Sequence, residues 1–131
     1  MSKESLIKLL ALMVNIRIAH WRASTINNTH AALGAAYDYA DDLIDSVVEH
    51  HIGRTGDTTF PAAQIAILPT AEPADLARFG KETVEAMIAE CKESDLQTIL
   101  ADLLGAFTML SYKLGVQTDA TGNVQQQQQP A

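Results

Sequence analysis

Apolar positions recur along most of the chain at helical rather than strand spacing. From about Lys3 to Arg22 they are Leu6, Leu9, Leu10, Met13, Ile16 and Trp21, with Ser2 placed to cap the helix and Glu4 in its first turn. Ala23 to Asn28 is short and polar and predicts a turn. A second helix is expected from Asn28 or Thr29 to Ile52, with Gly53 suited to a left-handed C-terminal cap. Gly53, Gly56, Pro61 and Pro69 surround an apolar island, Ala62 to Leu68, and predict a long crossover loop that packs partly on the helices. A third helix spans roughly Glu72 to Lys92, with Pro73 tolerated in its first turn. Ser94-Asp95-Leu96-Gln97 has the form of a capping box, so a fourth helix follows with almost no linker. Its stripe is Leu96, Ile99, Leu100, Leu103, Leu104, Phe107, Leu110 and Leu114, and Gly115 closes it. The expected fold is therefore all-α: a four-helix bundle over residues 1–115, with a crossover between helices 2 and 3 long enough to leave them non-adjacent or parallel.

Residues 116–131 carry one charged side chain and five consecutive glutamines, Gln125 to Gln129. Such a segment cannot bury a core and is expected to be a flexible tail, or to order only on a partner.

Composition narrows the function. The 131 residues are 47% hydrophobic and 19% charged, the balance of one globular domain, and the 5% aromatic content favours helices over a β-sandwich. A net charge of -7 opposes binding to phosphate backbones and anionic membranes, so no nucleic acid and no membrane partner is expected. The most apolar stretch, Leu6 to Ala19, is interrupted by Lys8, Asn15 and Arg17 and is neither a membrane span nor a signal peptide. A single cysteine, Cys91, excludes an internal disulfide and fits a reducing compartment. A cytoplasmic location is the expectation.

The candidate chemistry lies in the first two helices, which hold all four histidines: His20, His30, His50 and His51. Helix 2 adds Asp38, Asp41, Asp42, Asp45 and Glu49. With His30 at 0° and about 100° per residue, Asp41 falls near 20°, Asp45 near 60° and Glu49 near 100°, beside the apolar positions Ile44 and Val48. Asp45 and Glu49 are like charges one turn apart, a repulsion that a bound cation reverses. Each feature also has a plain explanation. An acidic helical face is commonly a solvated one, His50 and His51 suit a helix end, and His20 beside Trp21 suits a helix boundary. Met87 and Met109 fit the core, and Glu82, Glu85 and Glu90 fit the surface. No nucleophile arrangement or phosphate loop is present, and Cys91 is a lone thiol near a helix end. A di-iron centre inside one bundle needs histidines on later helices, and none follows His51.

Taken together, His20-Trp21, a short loop, His30, and then Asp45 and Glu49 at 15 and 19 residues beyond His30 resemble the Dps family of ferritin-like mini-ferritins. The resemblance covers about residues 13–53. It implies a ferroxidase-type site split across a two-fold dimer interface, with His20 and His30 from one subunit and Asp45 and Glu49 from the other. Iron would be the metal, although histidine and carboxylate ligands serve manganese and zinc as well. The chain departs from the family pattern where an aspartate usually follows the second histidine by four residues: here Gly34 stands. Asp38 or Asp41 is available to compensate. The loop between the histidines is shorter, its usual glycine motif is absent, and there is no basic DNA-binding tail. In these respects the chain is similar to small ferritin-like proteins encoded by bacteriophages.

Two functions follow as expectations. One is a Dps-like, iron-binding homo-oligomer, at least a dimer, with possible Fe(II) oxidase activity. The other is a non-catalytic ferritin-like bundle that acts as a phage structural, partner-binding or ligand-sequestering protein, with the glutamine-rich tail available to engage a protein partner.

Overall fold

The computed structural model describes residues 1–25, 27–118 and 124–126, with side chains described between residues 1 and 115. Four helices form: α1 (Lys3–Arg22), α2 (Asn28–Thr55), α3 (Pro73–Glu90) and α4 (Ser94–Leu114). α1 packs on α2 and α3, and α4 packs on α2 and α3, so α2 and α3 occupy one diagonal of the bundle. The crossover runs back along α1, and α3 consequently starts at the end where α2 starts. The two are parallel and non-adjacent, as the length of the crossover predicts. Among the described residues, no helix is long and apolar enough to cross a membrane.

The helix ends follow local chemistry, with two departures from the sequence expectation. Ser2 caps α1 by accepting from the Ser5 amide at 3.2 Å, and Asn27 caps α2 by accepting from the Thr29 amide at 3.0 Å. α2 does not stop at Ile52. It passes through Gly53 and ends at Gly56, whose φ of 68° makes Gly56 the left-handed cap and lets its N–H bond Ile52 O at 2.7 Å. The expected capping box at Ser94 does not form, because Ser94 is already helical and Glu93 holds the N-cap position. Gln97 instead donates from Nε2 to Cys91 O at 2.7 Å, spending its amide on the α3–α4 turn. α3 is closer to expectation: it starts at Pro73, where the missing N–H costs nothing, and stops at Cys91, which is buried.

The core is the alternating stack of Leu6, Leu9, Ile16, Leu33, Val47, Val84, Met87, Leu96, Leu100, Leu103, Phe107 and Leu110, all essentially excluded from solvent. Gly80 lies directly against Phe107. A β-carbon there would stand 2.7 Å from the ring, so the glycine is what lets α3 and α4 approach over this side chain. Leu10, Trp21 and Met109 depart from the expected core pattern and are exposed, Trp21 to 68% and Met109 to 51%. They sit on the outer faces of α1 and α4.

The crossover is held more by backbone than by its apolar island. Asn15, 4% exposed, donates from Nδ2 to Ala66 O at 3.1 Å and accepts from the Leu68 N–H at 2.7 Å. One amide therefore clips an extended segment to α1 in both directions, while Ile65, Ile67 and Leu68 remain exposed. At the other end of the loop, Lys3 lies over the Phe60 ring at 4.0 Å and pairs with Asp57 at 3.8 Å.

Arg54 ties the end of α2 to the start of α4. Its Nε donates to both Asp95 oxygens, at 3.1 and 3.3 Å, and Nη2 also bonds Oδ1. The Arg54 hydrogen bond holds the Asp95 carboxyl below its ordinary value. A folded value below the unfolded one, about 3.9, gives stability that is complete above that pH and lost as pH falls through the folded value. The thermal midpoint is thus expected to fall on acidification below about pH 4. Asp95→Asn should lower the neutral-pH midpoint and make that acid limb shallower by the same amount, a small one because the pair is partly exposed. Circular dichroism melts across pH 2 to 7 check this, and identical acid limbs for the two proteins would refute it.

Beyond Gly115 the backbone continues as β1 (Val116–Thr118), which pairs antiparallel with β2 (Val124–Gln126) and lies against α2 and α4. The expected tail thus includes a short backbone pairing. Residues 119–123 and 127–131, with the rest of the glutamine run, lie outside the described residues.

Candidate functional site

His20 in the last turn of α1 and His30 in the first turn of α2 meet across the interhelical turn. Their rings stack with centroids 3.9 Å apart and planes inclined by 24°. Each ring also bonds the other's backbone: His20 Nδ1 lies 2.8 Å from His30 O, and His30 Nδ1 lies 2.8 Å from His20 O. A carbonyl oxygen only accepts, so both Nδ1 atoms carry the proton. In the neutral imidazoles the lone pair is therefore on Nε2, and no hydrogen bond to either Nε2 is present among the described residues. An Nδ1–H held by a carbonyl, with Nε2 left as donor atom, is the arrangement that orients a histidine as a metal ligand. It also has a structural effect, since His30 supplies a donor to a carbonyl in the last turn of α1.

Gly34 explains how the stack fits. A β-carbon at this position would stand 2.8 Å from His20 Cε1 and 3.2 Å from Nδ1. The imidazole of His20 thus occupies the space over position 34, one helical turn after His30. An aspartate at 34 and the observed His20 conformation exclude each other. The missing carboxylate and the stacked histidines are one structural feature.

His20 also lines a shallow pocket of about 280 Å³ with Arg17, Trp21, Gly34, Tyr37 and Asp38. Arg17 covers the Tyr37 ring, its guanidinium carbon 4.2 Å from the centroid. Asp38 therefore shares a pocket with His20, whereas Asp41 does not line it. Arg17 and Tyr37 were not anticipated as site residues. Their signal lies in register: Arg17 is one turn before His20, and Tyr37 two turns after His30.

Asp41, Asp45 and Glu49 are all exposed on α2. His30 and Asp45 are 15 residues apart on one continuous helix, a separation of about 22 Å at helical rise. One chain therefore brings His20 and His30 together but not the histidines with Asp45 and Glu49. Among the described residues, no group of three or more His, Cys, Asp or Glu side chains could hold a metal ion within the chain. His50 donates from Nδ1 to Ser46 O at 2.7 Å on the surface, and α2 continues one turn beyond it, so Arg54 takes the place at the helix end expected of His50 and His51. Cys91 is buried at the α3–α4 turn; burial raises its thiol above the ordinary value, which keeps it protonated.

No protein-family model, curated protein or solved structure matches this chain.

Proposed function

We propose that the chain is a Dps-like, ferritin-like protein that binds Fe(II) at a two-fold interface between subunits. His20 and His30 supply nitrogen ligands from one chain, and Asp45 and Glu49 supply oxygen ligands from the other. The observation that carries this reading is the reciprocal Nδ1–carbonyl bonding, which orients both imidazoles and leaves both Nε2 atoms available. Support also comes from the exposed acids further along α2, which only a second chain can bring to the histidines. An antiparallel pairing of two α2 helices that sets position 30 against position 45 centres its axis at Tyr37 and Asp38, beside the His20 pocket. Asp38, which lines the His20 pocket, offers a carboxylate in place of the one missing at Gly34.

As substrate, Fe(II) would be oxidised by peroxide or oxygen; manganese and zinc suit the same donors. The chain's own part is to hold two imidazoles by their Nδ1–H groups with Nε2 left free of hydrogen bonds among the described residues, to provide the carboxylate pair, and to place Trp21 beside them. The setting is the cytoplasm of a bacterial or phage-infected cell, the protein is at least a dimer, and it binds neither nucleic acid nor membrane.

A second reading, a non-catalytic phage structural, partner-binding or ligand-sequestering bundle, has its own support. The histidine pair already ties α1 to α2, and Gly34 removes one carboxylate.

One titration separates the two. Anaerobic Fe(II) is added to metal-free wild type, His30→Ala and His30→Asn, with peroxide addition and ultraviolet detection afterwards. The asparagine amide retains a donor near the Nδ1 position but has no counterpart of Nε2. Saturable binding by wild type, weakened by at least about 10–100-fold in His30→Asn at unchanged helicity, is the expected result. Equal binding by wild type and both variants would leave the histidines a structural tie only.

A further inference from the structure

Three helical glycines, Gly34, Gly80 and Gly105, lie clear of the helix ends. The first two are explained within the chain, because a β-carbon would meet His20 at 2.8 Å and Phe107 at 2.7 Å. At Gly105, in the middle of α4, a β-carbon would meet nothing within 4 Å. Glycine weakens a helix relative to alanine, so intrachain packing gives no reason for this residue. Gly105 opens onto a groove of about 440 Å³ between α2 and α4, with Ala35, Ala36 and Ala106 among its walls. Tyr39 and Met109, both about half exposed, stand at its rim.

We propose that this groove docks a second copy of the chain, with the two α4 helices antiparallel. The charges on α4 select that occupant. Asp102 and Lys113 both border the groove, and neither has an ion-pair partner among the described residues. They are eleven residues apart, which returns to the same helical face within about 20°. An antiparallel pair of α4 helices with its two-fold axis between positions 107 and 108 sets Asp102 of each copy against Lys113 of the other. The same register sets Met109 of each copy against Gly105 and Ala106 of the other, so a flexible apolar side chain enters the gap that the glycine leaves. A parallel pairing in register would oppose like charges. The contact uses the α2–α4 side of the bundle and does not rest on the metal reading, which concerns the α1–α2 side.

Sedimentation velocity over a concentration series tests the proposal, using the full chain, Gly105→Gln, Asp102→Lys, Lys113→Asp and the double charge exchange. A β-carbon at 105 meets nothing within 4 Å, and glutamine is the better helix former, so Gly105→Gln should melt at or above the wild-type temperature. Its self-association should nevertheless weaken by roughly tenfold or more, as loss of a central packing contact does. Each single charge change should weaken association, and the double exchange should restore it. If the α1–α2 interface also forms, Gly105→Gln reduces a larger assembly to a dimer, whereas Asp45→Asn with Glu49→Gln lowers metal binding and leaves the α4 contact intact. A monomeric wild type, association unchanged in Gly105→Gln, or a double exchange that fails to recover would each overturn the antiparallel second copy.

Discussion

Phe107→Ala should destabilise the fold by about 3–5 kcal/mol, the largest effect expected of a single core truncation here. Phe107 is completely buried and is the largest fully buried side chain of the core. Its ring sits where α4 meets α3 at Gly80, so truncation opens a cavity between two helices rather than a pocket that solvent can fill. Gly80 makes the test sharper. An added methyl would meet three ring atoms at 2.7 to 2.9 Å, so Gly80→Ala in the wild-type background must push Phe107 or separate the helices. Overpacking of this kind costs roughly 1–3 kcal/mol, which outweighs the gain of up to about 1 kcal/mol from replacing a helical glycine. With Phe107→Ala already present, the clash is absent and the propensity gain remains. Gly80→Ala is then expected to stabilise, reversing its sign. Urea denaturation of the four proteins gives the coupling directly, and additive effects would show that the two residues do not share this space.

Two inactive variants should restore binding when mixed. If the metal site is divided between chains, a His20→Ala/His30→Ala chain keeps the carboxylates and an Asp45→Asn/Glu49→Gln chain keeps the histidines. Neither homodimer has one complete site. A mixed dimer has one complete site and one empty of all four ligands, so co-refolded protein should recover up to about half of the wild-type iron capacity per mixed dimer. The effect is large because each variant alone loses two ligands, which costs more than the roughly 10–100-fold typical of disturbing a ligand's support. Native mass spectrometry can count iron in the mixed species. No recovery despite confirmed mixed dimers would reject a divided site, as would full retention of iron by either homodimer. The 15-residue separation of His30 and Asp45 along one helix makes intrachain assembly of these ligands impossible without breaking α2.

The helices were legible because their information is local. Ser2, Asn27 and Pro73 act on the adjacent turn, and the leucine stripe of α4 faces the core as its period requires. Misplaced boundaries arose where neighbours compete for the same groups. The sequence placed the cap at Gly53, and the helix extended one turn further to Gly56. Gln97 could accept from a backbone N–H in a capping box or donate to a carbonyl, and it donates to that of Cys91. Met109 and Leu10 fit an apolar period, but a four-helix bundle has outer faces that cannot all be polar, and these two lie on them.

The candidate site divided in the same way. The spacing of His20, His30, Asp45 and Glu49 was visible in the chain, as was the absence of a carboxylate at Gly34. That His20 fills the space over Gly34, that each histidine bonds the other's carbonyl, and that Arg17, Tyr37 and Asp38 share the pocket were not. Those facts depend on how two helices cross after a short turn, and a one-residue rotation would separate the rings. By itself, then, the sequence determined four helices, a crossover and a chain with excess negative charge, because capping, periodicity and composition are short-range or additive. Only the tertiary structure decided which glycines are packed against and which is left open, and which donor atoms remain free, because those depend on approach distances between helices remote in sequence.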